Sequence, residues 1–247
     1  MNVWALSDFH LSFGIKNKSM EIFGSIWKDW TEKIKAHCHE KIKQEDLLLI
    51  AGDLSWASNL EEAIPDLDWI SHLPGTKMIL KGNHDFWWPS YSKLLTALPS
   101  SIYAIQNNSI SWKGLSIGGT RLWDSPEFSF ENLISLEGAS FGKEEIKPFT
   151  KEDQKIYERE LLRLEMSLKS FPQDFSKRIV MTHYPPLGSD LKPTRASLLL
   201  KNYRVDLCVF GHLHNVKNKG PLFGTLDLTH YALTSCDYLE FSPIQLL

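Results

Sequence analysis

Apolar residues in this chain gather into short runs, and each run is closed by a burst of polar side chains. Val3-Trp4-Ala5-Leu6 leads into Ser7-Asp8-Phe9-His10, Leu47-Leu48-Leu49-Ile50-Ala51 into Gly52-Asp53, and Met78-Ile79-Leu80 into Lys81-Gly82-Asn83-His84-Asp85. The same grammar returns in Arg178-Ile179-Val180-Met181, followed by Thr182-His183, and in Leu207-Cys208-Val209-Phe210, followed by Gly211-His212-Leu213-His214. Such runs, bounded by turn residues, read as buried strands. The first three are expected over residues 2–7, 46–51 and 77–80.

Between the runs the period changes. Ile22, Ile26, Trp30 and Ile34 recur every four residues with Phe23 and Trp27 beside them, which predicts one amphipathic helix reaching about residue 42. A helix over residues 59–73 has Asn59 as N-cap and Pro74-Gly75 as its stop. A short helix is expected over 90–98, and Tyr157, Leu161, Leu164 and Leu168 mark one face of a longer one over about 151–171. Strands are expected over 102–105 and 109–112, with Lys113-Gly114 turning into 115–117. Residues 118–150 have no clean period and read as an irregular, substrate-facing loop. Strand, loop and helix then alternate again to residue 201, and 222–241 is expected to form two or three antiparallel strands. The sum is an α/β fold with mixed sheets in a single domain over residues 1–247.

The polar bursts carry the chemistry. In α/β proteins the loops at the carboxyl ends of strands form the ligand crevice. Asp8, His10, Asp53, Asn83, His183, His212 and His214 all fall there, and none of the bursts contains a cysteine. Mixed Asp and His donors suit Mn, Fe, Zn or Co and exclude the all-oxygen shell of Ca. Seven side chains are too many for one tetrahedral ion and suit two divalent ions that share a bridge. Asp53 stands alone on its loop and is the natural bridging carboxylate. His84 is left over, placed to protonate a leaving oxygen. Two ions about 3.5–4 Å apart stabilise both oxygens of an in-line displacement and make hydroxide available near pH 7, which is the chemistry of phosphoester hydrolysis.

Composition narrows the setting. A chain of 247 residues can bury one large core, and a net charge of -3 offers no basic stripe, so long nucleic acid is not an expected partner. No apolar run reaches membrane-spanning length and no signal segment is visible. The three cysteines, Cys38, Cys208 and Cys236, form no disulfide framework, and a cytoplasmic location is expected.

Taken in order, Asp8-x-His10, Gly52-Asp53, Gly82-Asn83-His84-Asp85, His183 and Gly211-His212-x-His214 resemble the calcineurin-like metallophosphoesterase superfamily. The resemblance implies a four-layer αββα sandwich of two mixed β-sheets flanked by helices. It also implies one metal held by Asp8, His10, Asp53 and His214, the other by Asp53, Asn83, His183 and His212, with His84 as general acid. In one respect the chain departs from it. Many members carry a second Asp three residues after the bridging one, where this chain has Trp56. Asp85 is then the candidate partner for His84, against the plainer reading of a loop cap. The Asp-Arg-Gly extension of protein phosphatases is absent after Asp53.

The substrate is therefore expected to be a phosphorylated small or medium molecule: a phosphomonoester, a phosphodiester or a nucleotide pyrophosphate. Arg121, in Gly118-Gly119-Thr120-Arg121, is a candidate phosphate clamp. Trp87 and Trp123, with Trp56 and Trp88, are candidates for an apolar wall; Arg195 is a weaker candidate contact. The competing classes are a binding scaffold that keeps the fold without turnover and a nuclease. Retention of His84 and of every candidate ligand argues against the first, and the charge argues against the second.

Overall fold

The computed structural model describes residues 1–135, 149–174, 176–217, 220 and 222–247. Its strands are β1 (Val3–Ala5), β2 (Leu47–Ile50), β3 (Thr76–Leu80), β4 (Ile102–Ile105), β5 (Ser109–Trp112), β6 (Leu115–Thr120), β7 (Lys177–Thr182), β8 (Leu207–Phe210), β9 (Thr225–Leu226), β10 (Thr229–Leu233) and β11 (Ile244–Gln245). Its α-helices are α1 (Trp30–Lys41), α2 (Leu60–Ser71), α3 (Tyr91–Ala97), α4 (Lys151–Lys169) and α5 (Arg195–Asn202).

The strands form two mixed sheets, one ordered β11-β1-β2-β3-β4 and the other β5-β6-β7-β8-β10-β9. β1 to β4 run parallel, with β11 antiparallel at the edge. β6, β7, β8 and β10 run parallel between the antiparallel edges β5 and β9.

Successive residues of a strand point to opposite faces, and the core divides accordingly. Val3, Ala5, Leu47, Leu49 and Met78 of one sheet meet Ile117, Ile179, Met181, Leu207 and Val209 of the other. Their neighbours Trp4, Leu48, Ile50 and Ile79 turn outward against Trp30, Ile34 and Cys38 of α1 and Ala63, Leu67 and Ile70 of α2. On the far side, Val180, Cys208 and Phe210 meet Tyr157, Leu161, Leu164 and Leu168 of α4 and Leu200 of α5. Both faces of each sheet are thus covered, so the strands are apolar throughout rather than alternating. This is the four-layer αββα sandwich, and the apolar face expected of α4 is the one it buries.

Three elements differ from expectation. The helix predicted from residue 22 begins only at Trp30; before it lie two single 3₁₀ turns, Met20–Phe23 and Ser25–Trp27. Gly24 (φ 126°) and Asp29 (φ 54°) adopt left-handed backbone that no helix can pass through, and Ile22 is left 66% exposed. The C-terminal region holds one short hairpin, β9–β10, and β10 pairs parallel with β8. Turns follow it up to the edge strand β11. Finally β6 extends through Gly118-Gly119-Thr120, so the irregular segment starts at Arg121, and its residues 136–148 lie outside the described residues.

One buried cation helps to tie α2 to β3. Lys77 is 1% exposed, and its ammonium donates to the carbonyls of Ser71, Leu73 and Gly75 at 2.9, 2.7 and 2.9 Å. It closes the helix's open C-terminus, where a positive charge is favoured. Lys77→Met keeps the stem and removes these bonds, and is expected to cost about 2–3 kcal/mol in urea unfolding. A loss below about 0.5 kcal/mol would show that water replaces the ammonium without penalty.

Candidate metal centre

Each candidate side chain leaves the carboxyl end of a parallel strand: Asp8 and His10 after β1, Asp53 after β2, Asn83 and His84 after β3, His183 after β7, and His212 and His214 after β8. The two sheets are stitched together at that end. Ser7 forms a parallel bridge with Ser235. Its amide donates to Thr234 O at 2.7 Å, and its carbonyl accepts Cys236 N–H at 3.0 Å. Its hydroxyl accepts the Ala51 amide at 2.7 Å. Strand ends from both sheets therefore open onto one small volume.

Within it the seven side chains form a continuous network. His10 Nε2 is 3.2 Å from His214 Nε2, and His214 Nε2 is 3.7 Å from Asp8 Oδ1. Asp53 Oδ2 lies 3.8 Å from His10 Nε2 on one side and 3.4 Å from His183 Nε2 on the other. Asn83 Oδ1 lies 2.6 Å from His183 Nε2 and 3.1 Å from His212 Nδ1. Asp8, His10, Asp53 and His214 each offer one donor atom, all within 4.8 Å of one another, and could hold a cation. The same Asp53 reaches the group formed by Asn83, His183 and His212.

The backbone is bent to allow this. Asp8, His10, Asp53 and His212 have φ of 61°, 48°, 52° and 71°. Such left-handed residues cost about 1–3 kcal/mol each and persist where the surroundings fix them. Two glycines permit close approach. A Cβ on Gly82 would stand 2.0 Å from Asp53 Oδ1, and one on Gly211 would stand 2.1 Å from Asp8 Oδ2.

A divalent cation fits the unmet needs of these atoms. Asp8 and Asp53 are buried, and among the described residues Asp8 Oδ2 and His10 Nδ1 have no hydrogen-bond partner. Burial pushes the carboxyls of Asp8 and Asp53 above the ordinary carboxylate range. Burial likewise holds His183 down to about 3, so its ring is neutral. Its Nδ1–H donates to Ala51 O at 3.0 Å, which leaves the Nε2 lone pair aimed at the oxygen of Asn83. Lone pairs that converge without a proton between them are what a metal ion satisfies.

Asp237 belongs to the site, and sequence reading missed it. It follows β10 in no recognisable motif. Its Oδ1 accepts from His214 Nδ1 at 2.8 Å and its Oδ2 from Asn215 N–H at 2.9 Å. Burial opposes a charge on His214, but the Asp237 carboxylate prevails and raises the imidazole to about 9.

His84 stands beside the network. Its backbone amide donates to Asp53 Oδ1 at 2.8 Å. Among the described residues its ring has no hydrogen bond; it rests on Trp56, with ring centroids 4.5 Å apart. Trp56 also stacks on His10 at 5.0 Å and 26°. An aromatic face thus lies where the superfamily pattern has a carboxylate. Asp85 does not take that role. Its oxygens accept the amides of Leu54, Ser55 and Gly82 and the indole N–H of Trp87, which locks the Asp53 loop to the His84 loop. Asp85 is therefore the loop cap, and Trp87, 2% exposed, is its buried partner rather than part of a substrate wall.

Two cavities flank the network. The larger, about 490 Å³, is lined by Trp123, Phe128, Phe130, Phe149 and Tyr184 and reaches His212. Tyr184 bridges them, 5.2 Å from Trp123 and 4.1 Å from His212 between ring centroids. The smaller, about 230 Å³, contains Arg121. The backbone carbonyl of Arg121 accepts the amides of His183 and Tyr184 at 3.1 and 3.0 Å. Arg195 lies elsewhere, held by Glu127 and Glu158.

The family model described as calcineurin-like phosphoesterase matches residues 1–216. Three solved structures are similar to the chain at low identity. The phosphopantetheinyl hydrolase of Mycobacterium tuberculosis is 17% identical, with TM-score 0.55, covering 100% of this chain and 95% of that one. The protein TT1561 of Thermus thermophilus is 12% identical, with TM-score 0.51 and coverage of 99% and 97%. The protein of unknown function AQ665 of Aquifex aeolicus is 16% identical, with TM-score 0.49 and coverage of 99% and 95%. No curated protein matches the sequence.

The protonation of His214 gives a measurable consequence. Its raised pKa means that the metal-free ring is protonated at pH 7, so a cation taking its lone pair must expel that proton. Zinc titrated calorimetrically at pH 7, in two buffers of different ionisation heat, is expected to show proton release. Asp237→Asn removes the cause of the raised pKa and should reduce the release while weakening affinity by about 10–100-fold. Identical heats in both buffers would contradict this description of His214.

Proposed function

The chain belongs to the calcineurin-like phosphoesterase family, and from that premise we propose that it is a hydrolase of phosphorylated small or medium molecules that uses two divalent cations. One cation would be held by Asp8, His10, Asp53 and His214, and the other by Asp53, Asn83, His183 and His212. The observation that carries this reading is Asp53 Oδ2, which stands between His10 Nε2 at 3.8 Å and His183 Nε2 at 3.4 Å, as a bridging carboxylate must. When bound, such a pair lowers the pKa of a shared water toward about 7 and neutralises charge on phosphoryl oxygens.

The chain's own residues supply the rest. Asp8 and Asp53 provide negative charge to hold the cations, and Asn83 provides a neutral oxygen. Ala51 O and Asp237 fix which ring nitrogens of His183 and His214 face inward, through bonds of 3.0 and 2.8 Å. His84 protonates the leaving oxygen from its imidazole. Burial holds that imidazole below its ordinary pKa before substrate arrives, and a phosphoryl group beside it raises it again. Trp56 keeps the ring in place by a tilted ring contact, in the role a carboxylate would otherwise have.

The organic part of the substrate lies in the aromatic cavity of Trp123, Phe128, Phe130 and Tyr184, the opening that reaches His212. Its aromatic residues suit an apolar or aromatic moiety, and Asp124 and Glu131, which also line it, disfavour an anionic one. A phosphopantetheinyl hydrolase shares the fold, so a hydrolase built on this scaffold with a sizeable organic group in its substrate has a precedent.

Two variants separate the roles. His84→Ala is expected to lower kcat on a chromogenic phosphodiester by about 10²–10⁴-fold while metal content stays unchanged. Asp53→Asn is expected to lose metal from both positions by elemental analysis. Metal lost from His84→Ala would make His84 a ligand. Full occupancy in Asp53→Asn would remove the bridge.

A further inference from the structure

The smaller cavity is built differently from the aromatic one. Its charged lining is Lys81, Arg121, Arg163 and Glu160, with Thr120 and Asn107 beside them. Glu160 is buried and already committed. Arg163 donates to its Oε1 at 2.6 Å, and Thr120 Oγ1 donates to its Oε2 at 3.0 Å. Glu160 and Arg163 therefore neutralise each other. Lys81 and Arg121 remain, and among the described residues neither head group has a hydrogen bond or an ion pair. The guanidinium of Arg121 lies 4.7 Å over the ring of Trp123, a cation–π contact that uses none of its N–H donors.

Asp85 and Glu160 act on Lys81, and Arg121 on Asp53, only from a distance; two partly buried cations that share a cavity with no carboxylate bonded to either head group are suited to an anion. Their position says which anion. Lys81 precedes Gly82-Asn83 on the same loop, so its Cα is within about 7 Å of the Cα of Asn83. Arg121 holds the His183 backbone through its carbonyl. The cavity thus adjoins the candidate metal centre on the β3 side, while the aromatic cavity adjoins it through His212. The contacting pair of Arg121 and Trp123 is the partition: Arg121 lines one cavity and Trp123 the other.

We propose that Lys81 and Arg121 form a subsite for a second phosphate group on the substrate. This deepens the hydrolase reading and rests on it. The substrate it selects is a phosphodiester or diphosphate whose scissile phosphorus lies between an organic group, in the aromatic cavity, and a further phosphate, in the cationic one. A planar guanidinium grips phosphate oxygens in pairs, and the ammonium adds a point charge. Simple phosphomonoesters would leave the second subsite empty.

Two arms test it. The first compares two esters on the Mn-loaded protein at low ionic strength: thymidine 5′-(p-nitrophenyl phosphate) and the same ester bearing a 3′-phosphate. The wild-type chain is expected to prefer the 3′-phosphorylated ester by at least tenfold in kcat/KM. Lys81→Met or Arg121→Met should bring the ratio toward one, and Arg121→Lys should keep part of the preference. A wild-type ratio near one, or a tenfold ratio untouched by both Met variants, overturns the subsite. The second arm removes the metals with a chelator and titrates inorganic phosphate by calorimetry. Binding is expected in the wild type and should weaken at least tenfold in Lys81→Met. Equal binding in both proteins, or none in either, overturns the subsite. Failure to hydrolyse either ester contradicts the hydrolase reading, and the phosphate titration then decides the subsite alone.

Discussion

The structure is governed by the cost of burying two carboxylates, which a protonated His214 offsets only in part. Asp8 and Asp53 lie out of water, and among the described residues one oxygen of Asp8 has no hydrogen-bond donor. The rings of His10 and His183 nearby are held neutral by the same burial, so they offer lone pairs instead of protons. A fold tolerates such a group only where something else supplies the positive charge. The local architecture is arranged around that demand. Four of the candidate ligands sit in left-handed backbone, two glycines clear space for carboxylate oxygens, and Ser7 clasps the two sheets at the one end where all the loops meet.

That end was legible in the sequence because strand ends are legible. A strand buried on both faces is apolar throughout, so the polar residues that follow it stand out sharply, and their order identified the superfamily. The layers followed from the same runs. What escaped detection depends on contacts between residues far apart in the chain. Asp237 meets His214 across 23 positions and has no motif around it. Lys77 reads as an ordinary strand residue until its ammonium is seen to close α2. Asp85 looks like a partner for the adjacent His84, yet its oxygens face the opposite way, into the amides of the Asp53 loop. The helix expected from residue 22 failed for a local reason, since the four-residue period of Ile22, Ile26 and Trp30 says nothing of the positive φ at Gly24 and Asp29.

Trp56 shows how one substitution reshapes such a site. A carboxylate there would orient His84 by a hydrogen bond and add negative charge beside the centre. An indole orients it by contact and adds none. The same ring touches His10, so a candidate ligand and the candidate acid share one support. On the proposed reading, specificity is separated from this machinery. The aromatic and cationic cavities are divided by Arg121 and Trp123, at the start of the segment that leaves β6, where sequence can vary without disturbing the strand ends.

The central claim is that Asp53 joins two cations. Diffraction from Mn-loaded crystals at the Mn absorption edge tests it most directly. The account predicts two anomalous peaks about 3.5–4 Å apart, one among Asp8, His10 and His214 and one among Asn83, His183 and His212, with Asp53 touching both. A single peak, or peaks that leave Asp53 uncoordinated, would contradict it.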